Sequence, residues 1–220
     1  MARQVKSKQR VRDHGEVFTN EREVNAMLDL VKSETENIES TFLEPACGDG
    51  NFLSEIIKRK LNIVKERYGK NIENYEKYSL VAVSSIYGVE LLKDNVLTCI
   101  DRIYNIWNEE YLKIAKKQVN KDVQDACKYI LAKNILCGDA LTFKQDNGKP
   151  IIFAEWKLVS GSMLKRRDYR LDQILEAQND QPNLFWMMDG WEYDEETKDY
   201  IPVPVKEFPL TDFKRVQDYE

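Results

Sequence analysis

Apolar residues along this chain alternate between short runs typical of strands and longer stretches with helical spacing. The first short run covers residues 41–44 (TFLE), and a Pro-Ala-Cys-Gly-Asp-Gly turn follows it. The next apolar positions have helical spacing and are Phe52, Leu53, Ile56, Ile57 and Leu61. This order predicts a strand, a glycine turn and an amphipathic helix.

A second strand is predicted at residues 80–83 or at residues 86–91 (IYGVEL), and the alternation of period two is better in the second run. The stretch after it has apolar residues at intervals of three and four, which predicts a long helix. The buried face of this helix would consist of Leu92, Val96, Ile100, Ile103, Trp107, Tyr111 and Ile114.

Two more strands are predicted at residues 134–137 (NILC) and 150–154 (PIIFA), and residues 169–177 predict a further helix. Strands separated by helices favour parallel pairing with right-handed crossovers. The predicted fold class is therefore α/β with a mainly parallel sheet, in a domain that occupies residues 1–180.

The composition changes near residue 181, where prolines alternate with aromatic residues. Prolines at this density disfavour a helix. Two short strands at residues 184–188 and 200–205, around a polar turn at residues 194–198, would form a hairpin. We expect residues 181–220 to be an appendage whose aromatic side chains pack on the main domain.

The charge balance limits the classes of partner. Lysine and arginine total 33 against 38 aspartate and glutamate, a formal net charge of -5, so the chain lacks the positive field of a dedicated nucleic-acid binder. Contact with DNA would be local, through the basic residues at 3–12 or 165–170. A solvated tail or helix face is the more common role of such runs.

Cysteine and histidine usage excludes some kinds of site. The four cysteines form no CxxC pair and the chain has one histidine, so no metal site is expected. The sequence has no apolar leader and no apolar run long enough to span a bilayer. These features predict a cytoplasmic protein with reduced thiols and no membrane partner.

Three acidic residues, Glu44, Glu90 and Asp139, stand at the ends of predicted strands. Ligands of open parallel sheets bind at the carboxyl ends of the strands, where these acids would lie beside Gly48 and Gly50. Such glycines allow the backbone to approach a ligand closely. The turn has an aspartate and no lysine, which disfavours a phosphate ligand. Spacing alone leaves ordinary caps and turns as an equal alternative to a nucleoside site.

Four motifs occur in order at residues 14–19 (HGEVFT), 43–53 (LEPACGDGNFL), 87–91 (YGVEL) and 137–141 (CGDAL). Together they resemble the amino-group DNA methyltransferases of restriction-modification systems, in particular the adenine-specific group. The resemblance implies a Rossmann-like methyltransferase fold and S-adenosylmethionine as the cofactor. Carried over position by position, it implies cofactor contacts from Phe18, Thr19, Glu44, Pro45, Ala46, Gly48, Gly50, Glu90, Leu91, Asp139 and Ala140.

One motif of that family is missing. The family holds its target amine with Asn, Asp or Ser followed by Pro-Pro and an aromatic residue, and this chain has no Pro-Pro pair. At the expected place, after the fourth predicted strand, stand Glu155 and Trp156, an acceptor followed by an aromatic ring. The pair is a candidate catalytic substitute, although a tryptophan beside a strand is more often part of the core.

The chain also lacks the family's target-recognition domain and has too few strands for its complete sheet. The sheet is therefore expected to be truncated with its edge covered by the C-terminal hairpin, or completed by a second copy or by another methyltransferase or specificity chain. The resemblance implies a DNA adenine methyltransferase that works with a partner or has an atypical target site. The alternatives are a catalytically inactive cofactor-binding subunit or regulator, and a small-molecule or protein methyltransferase that shares the cofactor half.

Overall fold

Short strands alternate with helices through the first part of the chain, as the apolar pattern predicts. The computed structural model describes residues 6–176, 191–194 and 199–219. Up to residue 137 its elements are α1 (Lys8–His14), α2 (Glu21–Asp29), α3 (Lys32–Thr35), β1 (Phe42–Glu44), α4 (Asn51–Tyr68), α5 (Ile72–Ser84), β2 (Ile86–Glu90), α6 (Lys93–Ala115), α7 (Lys121–Asn134) and β3 (Ile135–Cys137). The fold class is α/β.

Strands β1, β2 and β3 form a parallel sheet in that order. Glu44 lies opposite Gly88, and Glu90 lies opposite Cys137. The carboxyl ends of the three strands therefore meet at one edge of the sheet. This edge is where loops of an open parallel sheet diverge and leave space for a ligand.

The predicted parallel strands agree with the structure to within one residue at each end. These are the runs predicted at 41–44, 86–91 and 134–137. The alternative strand at 80–83 is wrong, because those residues lie inside α5. Asn71 caps this helix by accepting a hydrogen bond from the N–H of Asn74. The prediction failed because a run of four apolar residues has the same sequence pattern in a buried helix as in a buried strand.

Helices α4 to α7 bury a hydrophobic core against the parallel sheet. The apolar face predicted for α6 lies in this core, as the helical spacing indicates. Its buried members are Val96, Ile103, Trp107 and Tyr111, and the partly buried Ile100 and Ile114 pack against the same core. Leu92 is the N-cap residue of the helix.

The fourth predicted strand is wrong in its pairing. Residues 150–154 were expected to extend the parallel sheet, but β4 (Ile152–Ser160) pairs antiparallel with β5 (Met163–Arg170). The reason is a two-residue turn in which Gly161 has a φ of 57°. A parallel pairing needs a long crossover connection, and this turn is too short to hold one.

The second sheet covers the other face of the parallel sheet. A smaller core there consists of Val89, Ile151, Phe153 and Leu171. The hydroxyl of Tyr87 on β2 donates to the carbonyl of Ala154 on β4 at 2.9 Å. The start of β4 therefore packs on the face of the parallel sheet that carries Tyr87 and Val89, while Trp156 and Leu158 farther along β4 pack against the helical core.

The C-terminal part joins the second sheet. Strands β8 (Lys206–Glu207) and β9 (Thr211–Asp212) pair antiparallel with β5. A 3₁₀ helix at Phe213–Asp218 packs on α7, with Phe213 buried. The antiparallel sheet therefore contains strands from both sides of the boundary predicted at residue 180, namely β4 and β5 before it and β8 and β9 after it.

The predicted C-terminal hairpin is seen in part. The strands β6 (Trp191–Asp194) and β7 (Asp199–Pro202) pair antiparallel across the predicted polar turn. The strand predicted at 184–188 lies outside the described residues. The helix predicted at 169–177 is shorter, because α8 (Leu171–Glu176) begins only where β5 ends.

Candidate functional site

A cavity of about 570 Å³ opens at the carboxyl edge of the parallel sheet. Ten of the eleven residues that the motifs nominate as cofactor contacts line it. They are Phe18, Thr19, Glu44, Pro45, Ala46, Gly48, Glu90, Leu91, Asp139 and Ala140. The fold thus brings four separate sequence segments to one place, and the cavity volume lies in the range of about 300–1,000 Å³ that is typical of small-molecule sites.

The glycine turn between β1 and α4 depends on glycine for contacts within the protein. Gly48 has a φ of 55°, and a Cβ there would lie 3.2 Å from Cε1 of Phe18. Gly50 has a φ of 89°, and a Cβ there would lie 2.7 Å from Sγ of Cys99. Gly50 is the eleventh nominated residue, and it faces Cys99 and does not line the cavity. Gly50 therefore lies outside the cavity wall, and its contact with a ligand stays a prediction.

Glu90 connects the glycine turn to the end of β2. Its Oε2 accepts a hydrogen bond from the N–H of Gly48 at 2.9 Å, and its Oε1 accepts one from the N–H of Leu92 at 2.9 Å. Asn95 donates a third from Nδ2 at 3.3 Å. These three hydrogen bonds hold the carboxylate of Glu90 in one orientation. Each carboxylate oxygen has more than one acceptor site, so Glu90 retains capacity for a ligand hydroxyl.

The other two acids lie on opposite sides of Glu90. Burial raises the pKa of Glu44, and a hydrogen bond from the backbone of Ala46 offsets this only in part. Asp139 follows β3, and its Oδ1 accepts from the N–H of Leu141 at 2.8 Å. Backbone hydrogen bonds of 2.8 and 3.3 Å between Asp139 and Lys144 hold this loop. The cavity therefore has a carboxylate at the end of each parallel strand.

The segment before α2 forms one wall of the cavity. The ring of Phe18 lies against the glycine turn, as the close approach at Gly48 shows. The backbone carbonyl of Thr19 accepts a hydrogen bond from Nδ2 of Asn51 at 3.0 Å. Asn51 is the first residue of α4, so this bond fixes the N-terminal segment to the helix that follows the turn.

Sequence reasoning missed several residues of the cavity wall. The structure adds Glu16, Asp49, Asn95 and Leu141, among others. Glu16 belongs to the HGEVFT motif, where only the last two residues were nominated. Asn95 lies in the first turn of α6, five residues after Glu90, and an asparagine at that place gives no signal without the partner that it contacts.

The proposed catalytic pair lies elsewhere. Glu155 and Trp156 were expected after a parallel strand, but both lie within the antiparallel strand β4 and neither lines the cavity. Glu155 is exposed and is 4.0 Å from Arg167 in an ion pair. Trp156 donates from Nε1 to Oδ1 of Asn134 at 2.9 Å. The pairing of β4 with β5 removes both residues from the edge at which they were expected.

Within the described residues, most basic side chains of the segments 6–12 and 165–170 are paired with acids. In the segment 165–170, Lys165 and Arg167 both contact Glu207, at 2.9 and 3.2 Å. Arg166 forms an ion pair with Asp168 at 2.7 Å. In the described part of the segment 3–12, Lys6 pairs with Asp94, and Arg10 pairs with Glu16 and Asp94. A phosphate would therefore have to compete with these carboxylates.

Two further kinds of site can be assessed over the described residues. Within residues 6–176, 191–194 and 199–219, no group of three or more histidine, cysteine, aspartate or glutamate residues could hold a metal ion. In the same ranges no helix has the length and apolar character needed to cross a membrane.

Comparison of the chain with models of protein families, with curated proteins and with solved structures finds no match. The functional interpretation therefore depends on the geometry of the cavity and on the motifs that surround it.

Proposed function

We propose that the chain binds S-adenosylmethionine in this cavity and acts as the cofactor-binding half of an adenine-N6 DNA methyltransferase with a Rossmann-like fold. The observation that supports this most strongly is the meeting of four distant motifs around one cavity. These motifs are separate segments between residues 14 and 141, and what links them is their resemblance to one family. Their convergence is what a shared ligand requires.

The acids suit the parts of this ligand. Glu90 would accept a hydrogen bond from a ribose hydroxyl at Oε2, since its orientation is already fixed by backbone donors. Asp139 would accept one from the exocyclic amine of adenine. Burial raises the pKa of Glu44, so its charged form is disfavoured. A nearby positive charge, such as the ammonium or sulfonium group of the ligand, would stabilise that charged form.

The chain's residues would bind and orient this ligand without a general base. The bound cofactor supplies a methyl group on a charged sulfonium, so the rate depends mainly on alignment and electrostatics. A group that aligns the target amine is still required. The chain has no Pro-Pro motif, and Glu155 and Trp156 lie outside the cavity.

We therefore assign the target-amine site to a partner chain. Among the described strands β1 pairs only with β2, so no described strand occupies its other edge. Such an edge can accept a strand from another chain. Most contacts with DNA phosphates would also come from the partner, because the basic segments here already pair with acids and the net charge is -5.

A second candidate is a cofactor-binding subunit that regulates another methyltransferase without taking part in the transfer. The position of Glu155 and Trp156 in β4 favours it, because the chain then has no known group for the target amine. It differs from the first candidate only in the role of the partner.

Titration calorimetry with S-adenosylmethionine and with S-adenosylhomocysteine tests the binding step, and ATP is the control ligand. We expect both sulfur nucleosides to bind and ATP not to bind. Transfer of a labelled methyl group to duplex DNA, with and without candidate partner chains, then separates the two candidates. Transfer only in the presence of an otherwise inactive partner supports the enzyme, whereas transfer by the partner alone supports the regulator. Absence of binding to S-adenosylmethionine would refute both.

A further inference from the structure

A line of polar contacts joins Glu90 to the N-terminal segment along the wall of the cavity. Asn95 donates from Nδ2 to Oε1 of Glu90 at 3.3 Å and to Oε1 of Glu16 at 2.8 Å. Arg10 on α1 donates to both oxygens of Glu16, from Nε at 2.8 Å and from Nη2 at 2.7 Å. We call Arg10, Glu16 and Asn95 the relay.

The relay is largely removed from solvent. Asn95 is 1% exposed, and the side chain of Glu16 is 7% exposed. Burial on its own would raise the pKa of Glu16, but hydrogen bonds from Asn95 and Arg10 outweigh this effect and lower the pKa. Hydrogen bonds to a buried ion are stronger than those at the surface, and a lost partner costs more there.

The relay ends in ion pairs at the start of α6. Arg10 donates from Nη1 to Oδ2 of Asp94 at 2.7 Å, and Lys6 lies 3.2 Å from the same oxygen. The hydrogen bond from Arg10 lowers the pKa of Asp94 to about 2. Lys6 also donates to Oδ1 of Asn95. The side-chain amide of Asn95 therefore uses both its N–H₂ and its oxygen within this network.

We propose that Asn95 is a positioning residue for the ligand of the cavity: it fixes the carboxylate of Glu90 and at the same time holds residues 6–18 against the cavity wall. This inference rests on the proposed function, because it takes Glu90 as a ligand-binding group. The amide nitrogen of Asn95 serves two carboxylates at once, Glu16 and Glu90. A carboxyl group in its place could donate only when protonated.

The variant Asn95→Asp tests this role through its pH dependence. At pH 8 the new carboxylate would repel Glu16 and Glu90, whereas near pH 5 protonation restores one donor, because two neighbouring carboxylates raise the pKa of the new acid. We expect the Kd for S-adenosylmethionine to rise about tenfold or more relative to wild type at pH 8, and to return to within about threefold at pH 5. The charged groups that surround this position are Lys6, Arg10, Glu16, Glu90 and Asp94.

The matched control is Asn105→Asp, the same substitution on an exposed position of α6. It should bind like wild type at both pH values, and Tm is measured for every variant. Equal affinity of Asn95→Asp and wild type at pH 8 would overturn the proposal. A loss of affinity at both pH values together with a lowered Tm would also overturn it, since the residue would then be only structural.

A second variant keeps the test valid if Asn95→Asp does not fold. Glu16→Gln removes the ion pair with Arg10 without adding charge, and it should raise Kd about threefold or more. An unchanged Kd would overturn the proposal. If wild type itself does not bind S-adenosylmethionine, the proposed function fails. If wild type binds and either variant binds as tightly as wild type, the positioning role of Asn95 fails and the proposed function stands.

Discussion

The indole N–H of Trp156 donates a hydrogen bond to the side-chain oxygen of Asn134 at 2.9 Å. Asn134 is fully buried, and its Nδ2 donates to the carbonyls of Ser84 at 3.0 Å and Ile86 at 3.1 Å. One amide therefore joins the end of α7, the start of β2 and the strand β4. The geometry gives Trp156 a role in holding the two sheets together.

Trp156→Phe should lower the stability of the protein and leave ligand binding unchanged. The substitution keeps an aromatic ring but leaves the buried oxygen of Asn134 without its donor, which costs about 1–3 kcal/mol. Urea unfolding measures this loss and calorimetry measures the Kd. Glu155→Gln at an exposed position is the control, with a change within about 0.5 kcal/mol. If Trp156→Phe had normal stability but no longer supported methyl transfer, Trp156 would have a catalytic role after all.

Lys60 makes the stability depend on pH. Its buried Nζ contacts the carbonyls of Ile38 and Ser40 and the hydroxyl of Ser85, and burial lowers its pKa to about 7. An unfolded lysine has a pKa of about 10.4, so above pH 7 the unfolded chain binds a proton that the folded chain lacks. Stability from this group is therefore lost as the pH falls through 7 and gained as it rises.

The corresponding variant is Lys60→Met, which fills similar space without an amine. From pH 7 to pH 8.5 the unfolding free energy of wild type should increase by about 1.5 kcal/mol relative to that of the variant. Urea unfolding at the two pH values gives the difference. Burial contributes to raising the pKa of the Cys47 and Cys127 thiols, which lowers stability as the pH rises, and this effect cancels in the difference between the two proteins. A constant difference would contradict the lowered pKa of Lys60.

Asp139→Asn should weaken binding of S-adenosylmethionine by about 1–3 kcal/mol, because a charge-assisted hydrogen bond to the adenine amine is lost. The asparagine retains Oδ1, which accepts from the N–H of Leu141, so the loop should keep its shape. Calorimetry measures the change. Asp146→Asn, at an exposed position of the same loop, is the matched control. Unchanged affinity for Asp139→Asn would show that this assignment is wrong.

Glu44 should make ligand affinity rise with pH. Its pKa is raised in the free protein, and a cationic ligand beside it would lower that pKa, so binding would release a proton. The affinity should therefore fall as the pH is lowered through the titration of Glu44. Calorimetry between pH 5 and pH 7.5 measures the slope, and Glu44→Gln should reduce it. If wild type and Glu44→Gln show the same dependence of affinity on pH, the positive charge of the ligand does not lie beside Glu44.

The cavity could be predicted from the sequence because its parts are local. Glu44 and Glu90 are the last residues of short strands, and Asp139 lies two residues after another. The ends of three parallel strands lie at one edge of the sheet, so these acids come together. The relay could not be predicted in this way. The contact between Asn95 and Glu16 joins positions 79 residues apart and depends on how α1 meets α6.

The second sheet shows where sequence patterns fail. The strand β5 contains the basic run 165–170, which resembles a solvated surface or a phosphate contact. Its charges are instead paired, Arg166 with Asp168 and Arg167 with the distant Glu207. Arg166 is 5% exposed and also stacks over Phe208. Asp168 lies within the run itself, whereas Glu207 is brought to it by the tertiary fold, so the run alone does not show that its charges are paired.

The hydrogen bond between Glu90 and the N–H of Gly48 also constrains the redesign of this protein. An engineer who replaces Glu90 to accept a different sugar would also leave the backbone of the glycine turn without an acceptor. The new residue must therefore satisfy both the incoming ligand and Gly48. Ligand preference and the shape of the turn would have to be changed together.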